Sequence, residues 1–281
     1  MSAGSPQPRY SNLQLRVMSG VVLAAAVLAL TWLGGLWFTA LAVVIGAGSL
    51  YEWLRISSMT ATGMPGAAIN AVVVIGLVMV FAGINPWLVV ALAVAGAVVL
   101  ASGFASDERP RWVVAGAVWH PLVPAAALAN LRADTMAGLW AILFLFAVVW
   151  ATDIAAYFTG RAIGGPKLAP KISPGKTWSG AVGGTVAGIV CGLAVAMAAE
   201  ASNLLLIALI ALAMSVAGQI GDLFESALKR RYSVKDSSNL IPGHGGVLDR
   251  VDGLVIAAVV LWALAWLASG DAQPAGWLFP A

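Results

Sequence analysis

Charge is what this sequence has least of. Only 10% of its 281 residues are Asp, Glu, Lys or Arg, while 61% are hydrophobic and the mean hydropathy is +0.93. A soluble domain carries about a quarter charged residues, so a water-soluble enzyme is excluded. Because the apolar residues run along nearly the whole length, a single membrane-embedded domain is expected. Cysteine is almost as scarce. Cys191 is alone and lies within an apolar run. An intrachain disulfide and a zinc site built from two or more thiolates are therefore excluded, and Cys191 reads as a small packing residue. The chain has no short-period repeat, no coiled-coil heptad and no low-complexity tail. Its net charge of +3 is small, and no nucleic-acid partner is expected.

What is present is apolar runs. At roughly 20 residues per membrane span, about nine candidates appear: 17–33, 36–51, 67–83, 87–104, 112–129, 136–157, 178–199, 204–226 and 253–269. Pro121 and Pro124 predict a kink or a late start in the fifth. A polar N-terminus with two arginines before an apolar run resembles a signal peptide. That run is long, lacks a convincing cleavage site and leads directly into another, so a retained first span is expected. With a cytoplasmic N-terminus, all 15 Lys and Arg except Arg132 fall on the cytoplasmic side, as the positive-inside rule requires. The expected fold is an all-α, polytopic membrane protein with one continuous membrane domain. Residues 1–135 form an N-terminal transmembrane scaffold rich in small residues. Residues 136–281 form a catalytic transmembrane region with two cytoplasmic loops, 159–177 and 229–250.

Chemistry concentrates in those loops. Asp222 and Glu225 are three apart and share a helix face, at the end of an apolar run where ionisable residues are functional candidates. Asp249 and Asp252 repeat the spacing at the start of the last span. Four carboxylates at two helix ends with Lys229, Arg230, Arg231 and Lys235 between them suit Mg²⁺ facing a polyphosphate, since Mg²⁺ takes a few carboxylate oxygens plus water and phosphate. Gly243, Gly245 and Gly246 would let backbone approach a ligand. Each residue also has a plainer reading: a basic loop set by topology and anionic lipid, Asp222 paired with an arginine in the bundle, His244 as a loop hydrogen-bonder. In the other loop, Ser173 and Thr177 bracket Pro174, Gly175 and Lys176 before a helix, which is either an anion site or an ordinary cap. Pro170 stands where a Walker loop needs its first glycine, and no strand precedes it, so a Walker-type NTPase is rejected.

At these two segments the chain resembles the phosphatidate cytidylyltransferases, or CDP-diacylglycerol synthases. The family's Ser-x-x-Lys-Arg, Lys-Asp, His-Gly-Gly and Asp-Arg-x-Asp series is matched by Ser226, Lys229, Arg230, Lys235, Asp236, His244, Gly245, Gly246, Asp249, Arg250 and Asp252. Upstream, Asp153, Tyr157, Phe158, Gly160, Arg161, Ser173, Pro174, Lys176, Thr177 and Gly180 match, whereas Gly175 and Ser179 depart from a common Lys and Glu. The resemblance implies transfer of CMP from CTP to phosphatidic acid, giving CDP-diacylglycerol and pyrophosphate. It implies a catalytic set of Asp222, Asp249, Lys229, Arg230, Lys235, Asp236, His244, Arg250 and Asp252. Ser173, Lys176, Thr177, Ser226, Gly245 and Gly246 would bind substrate. Asp222 and Asp249 would hold the metal, Mg²⁺ or Mn²⁺, with room in the family for a second, monovalent cation such as K⁺. It further implies a homodimer in a bacterial inner membrane with the site on the cytoplasmic side. Two other classes stay open: a CTP-dependent transferase or kinase acting on another lipid, and an ion-coupled transporter, for which paired broken helices would be the sign.

Overall fold

The computed structural model describes residues 12–59, 63–241, 243–270 and 273–280, with side chains from residue 17 onward. Arg9 and the side chain of Arg16, both used in the charge count, lie outside that description. Nine long helices follow in order: α1 Asn12–Leu33, α2 Gly35–Ile56, α3 Met64–Phe81, α4 Pro86–Phe104, α5 Arg111–Arg132, α6 Met136–Ile163, α7 Trp178–Ala198, α8 Leu204–Arg231 and α9 Leu248–Ser269. A short turn of helix, α10 (Ala275–Leu278), closes the chain. Eight of them, α2 to α9, are long and apolar enough to cross a membrane; the apolar part of α1, Val17–Leu33, is shorter. Helices dominate because lipid offers backbone groups no partner, so each span must satisfy its own.

Among the described residues one element departs from the all-α expectation. A two-stranded antiparallel ribbon, β1 (Lys167–Ala169) and β2 (Ser173–Thr177), fills part of the first polar loop. Both polar loops are also shorter than the apolar runs imply. Gly160 and Arg161 belong to the last turns of α6, and Lys229, Arg230 and Arg231 form the last turn of α8, where cations complement the helix dipole. Pro121 and Pro124 sit within an unbroken α5 that starts at Arg111 rather than late.

Two buried apolar clusters divide the bundle. One gathers the end of α2, α3, α4 and α5 as far as Ala126; the other gathers the start of α2 and the end of α5 with α6, α8, α9 and α10 and Ala196 of α7. Helix α1 runs between two polar anchors. At its start Ser19 Oγ lies 2.8 Å from His244 Nδ1. At its end the buried Arg132 donates from Nε to Thr31 O at 2.6 Å and from Nη2 to Trp32 O at 3.2 Å. So Arg132, the basic residue apart from all others in sequence, caps the α1 carbonyls instead of facing water.

The closest helix pair is α6 with α7. Gly180, Gly184, Gly188 and Gly192 form the buried face of α7 at four-residue spacing. A Cβ on Gly184 would lie 2.6 Å from Thr152 O and 2.9 Å from the Ala156 Cβ. Small residues at such a seam let backbones approach in lipid. This packing carries Asp153 on α6 and Lys176 just before α7 to one place. Gly184→Val should therefore lower the thermal unfolding temperature in detergent, with a cost of about 1–3 kcal/mol from overpacking. Gly103→Ala, on a helix where a Cβ meets nothing within 4 Å, should leave it unchanged or raise it.

Candidate functional site

The site forms where the ends of α2, α6, α8 and the start of α9 meet the two polar segments. Asp249 occupies the first turn of α9. Its Oδ2 accepts from Ser237 N at 2.9 Å and Gly246 N at 2.8 Å, with Ser237 Oγ at 2.8 Å. Its Oδ1 accepts from Lys229 Nζ at 2.7 Å. The same ammonium donates to Glu225 Oε2 at 3.0 Å, one helical turn away on α8. Glu225 is 2% exposed, and its Oε1 has no hydrogen-bond partner. Asp252 stands beside Glu225 and accepts from Gly253 N at 2.8 Å. On the next face of α8, Asp222 pairs with Lys176 from β2 and accepts from Ser226 Oγ at 3.4 Å. Asp153 lies within electrostatic reach of Asp222, Asp252 and Lys176. Five carboxylates are thus interleaved with two lysines, and the repulsion among the acids is offset by ammonium groups lodged between them.

Sequence reasoning missed the acid that holds this arrangement. Glu52, near the end of α2, is fully buried. Its Oε1 accepts from Ser238 Oγ at 2.5 Å and Val247 N at 2.8 Å; its Oε2 accepts from Ser237 Oγ at 2.8 Å and Leu248 N at 2.7 Å. Ser237 has one hydroxyl proton, so it serves Glu52 or Asp249 at any moment. A carboxylate at a helix N-terminus is favoured by the orphan N–H groups and the dipole. The available signal was an acid between Tyr51 and Trp53 closing an apolar run.

The glycines have steric reasons. Gly245 has φ 83°, and a Cβ there would sit 2.8 Å from Asp249 Oδ2; on Gly246 it would collide with Ser237 Oγ and the Glu52 carboxylate. Other sequence candidates fall around the cluster. Arg230 Nε donates to Ile172 O at 3.3 Å, tying α8 to the ribbon. Arg250 donates from Nε and Nη2 to His244 O at 2.9 and 2.7 Å, and His244 itself meets Ser19. Lys235 and Asp236 are exposed. Thr177 is the N-cap of α7, accepting from Gly180 N at 3.1 Å, while Ser173 opens β2 opposite Ala169.

Chemically, the arrangement combines hard oxygen donors with lysine ammonium groups beside a polar loop, and suits a polyanion. Among the described residues no three His, Cys, Asp or Glu side chains converge as a ready metal site. The donor set nonetheless suits a hard divalent ion: Asp222 and the Oδ1 of Asp249 each hold a cationic partner now, whereas Oδ2 of Asp249 is saturated by three donors. A nearly all-apolar cavity of about 470 Å³ between α2, α4, α5 and α8 is lined by Trp53, Trp112, Trp119 and Phe224 and reaches Gly221, next to Asp222.

If Glu52 holds this loop, removing its charge should loosen the loop before it unfolds the bundle. Glu52→Gln turns an amide N–H₂ toward backbone donors, and each buried group left unsatisfied costs about 1–3 kcal/mol. Hydrogen exchange should accelerate across 237–248, with little change in α3 and α4; Glu108→Gln, at an exposed position, should alter neither.

Comparison with known proteins follows the same residues. Residues 14–268 match the sequence model of a family described as the Cytidylyltransferase family. A protein named phosphatidate cytidylyltransferase from Brucella suis biovar 1 (strain 1330) is 43% identical over 253 residues, covering 90% of this chain and 93% of its own. Proteins of the same name from Bacillus subtilis (strain 168) and Rickettsia bellii (strain RML369-C) are 33% and 32% identical, with 90% of this chain covered and 97% and 90% of theirs.

Proposed function

The chain belongs to the cytidylyltransferase family and is a nucleotidyltransferase, and from that premise we propose that it moves CMP from CTP to phosphatidic acid. The observation that carries this reading is the set of carboxylates at one end of the bundle, three of them, Asp222, Glu225 and Asp249, paired with Lys176 or Lys229 and backed by a glycine loop. One substrate is a soluble polyanion and the other a lipid whose phosphate lies at the interface, and a site at a membrane face admits both.

In this reading a phosphate oxygen of phosphatidic acid bonds to the α-phosphorus of CTP. The bridging bond to the β-phosphate breaks, and pyrophosphate leaves with the electron pair. The attacking oxygen is already anionic, so no protein nucleophile is required. Lys176 and Lys229 exchange their carboxylates for substrate phosphate and offset the charge in the transition state. Gly245 and Gly246 bring backbone close, and the loop pinned by Glu52 keeps the reactants aligned. Asp222 and Asp249 Oδ1 would hold Mg²⁺, or Mn²⁺ in its place, with phosphate and water completing the shell; the ion would supply positive charge at the reacting phosphates. A monovalent ion such as K⁺ is a further cofactor of the proposal. The apolar cavity beside Gly221 is a route for acyl chains.

The proposal extends to placement: nine crossings including α1, a cytoplasmic N-terminus, the site on the cytoplasmic side of a bacterial inner membrane, and a homodimer. It is supported by the charge asymmetry and by α1 running from His244 to Arg132.

Purified protein in detergent, given labelled CTP and phosphatidic acid, should form CDP-diacylglycerol with Mg²⁺ and none with chelator. Asp222→Asn and Asp249→Asn should each lose about a hundredfold or more, as expected when charge stabilisation is removed, while remaining folded by thermal unfolding. Full activity in both variants would overturn the reading. Product from another lipid but none from phosphatidic acid would favour a related CTP-dependent transferase.

A further inference from the structure

The segment between α8 and α9 carries, at Asp236 and Asn239, a second polar surface that the reaction above leaves unused. Ser237 and Ser238 are turned inward and tied to Glu52. Their neighbours on either side, Asp236 and Asn239, are exposed, and neither side chain has a hydrogen-bond partner among the described residues. Both line a cavity of about 440 Å³ whose other walls include Ile241, His244, Gly245 and Arg250. The walls are fixed: Ile241 N bonds Gly245 O at 2.9 Å, Arg250 holds the His244 carbonyl, and Ser19 holds the His244 ring. Gly245 makes this cavity adjacent to the cluster, since a Cβ there would touch Asp249.

A carboxylate facing the cavity is the wrong charge for a triphosphate, the Arg250 guanidinium in its wall is bound to the His244 carbonyl, and Lys229 and Lys176 are held by Asp249 Oδ1 and Asp222. The cavity calls for a planar, neutral group with a hydrogen-bond donor for Asp236 and acceptors for an amide. Resting on the reading that CTP is the donor, we propose that this cavity takes the cytosine ring. Asp236 accepts from the exocyclic amino group, and the Asn239 amide donates to the ring's N3, where uracil carries a hydrogen instead. Uracil presents a carbonyl where cytosine presents that amino group, so a carboxylate there selects against UTP. Acidic side chains accept from the cytosine amino group elsewhere in nucleic-acid recognition, and a site built for such a bond rejects the analogue lacking it.

The test uses the full chain in detergent. In the wild type, cytidine should compete with CTP and uridine should not, by about tenfold or more in inhibition constant. In Asp236→Asn the amide can turn its N–H₂ toward uracil, so the ratio of kcat/KM for CTP over UTP should fall by about tenfold or more. Asn239→Ala should lower the same ratio, which guards against misfolding of the first variant. Equal inhibition by cytidine and uridine in the wild type would overturn the assignment, as would equal losses with both nucleotides in both variants. A wild type that transfers nothing from CTP would instead overturn the reading of the reaction, and direct binding of cytidine against uridine would then decide the cavity alone.

Discussion

Among the described residues Glu52 has no ion-pair partner, and it is buried, an arrangement that costs several kcal/mol unless donors surround the charge. Two backbone N–H groups from the start of α9 and two serine hydroxyls surround it. That requirement couples three parts of the molecule. It fixes where α2 ends relative to α9, it folds Ser237 and Ser238 back under the loop, and it leaves no room for a side chain at position 246. Asp249 repeats the arrangement one turn further on, sharing Ser237 with Glu52. The cluster therefore holds Glu52, surrounded by neutral donors alone, Asp222 and Glu225, paired with lysines, and Asp249, which has both kinds of partner.

The exchangeable pairs explain how so many acids gather near lipid. Asp222 with Lys176, and Glu225 and Asp249 with Lys229, form two small ion clusters. Breaking such pairs without a replacement is costly, so the lysines leave only for another anion. Substrate phosphate is such an anion. The resting pairs thus keep the carboxylates ordered and hold the cations near their point of use.

Much of this was legible in the sequence because lipid imposes long apolar helices. The helix positions and the gathering of Asp222, Glu225, Asp249 and Asp252 followed from run length and spacing. The segment ends did not. Helices α6 and α8 continue past their apolar runs, since Gly160, Arg161 and the last residues of α8 keep helical hydrogen bonds in water as well as in lipid. Glu52 escaped notice because its partners are serines and backbone groups 185 to 196 residues away, which no local pattern marks. Arg132 read as a topological charge and is a buried cap. The ribbon before α7 is too short for period-two alternation to reveal.

In the proposed reaction this face works by alignment and charge, with the lipid phosphate attacking CTP directly. Its most direct test is the stereochemical course at the α-phosphorus, followed with CTP carrying a chiral α-thiophosphate and read by phosphorus NMR of the product. A single displacement predicts inversion. Retention would contradict the account, because it requires a CMP–enzyme intermediate, and it would bring the Ser19–His244 pair into the chemistry as nucleophile and base.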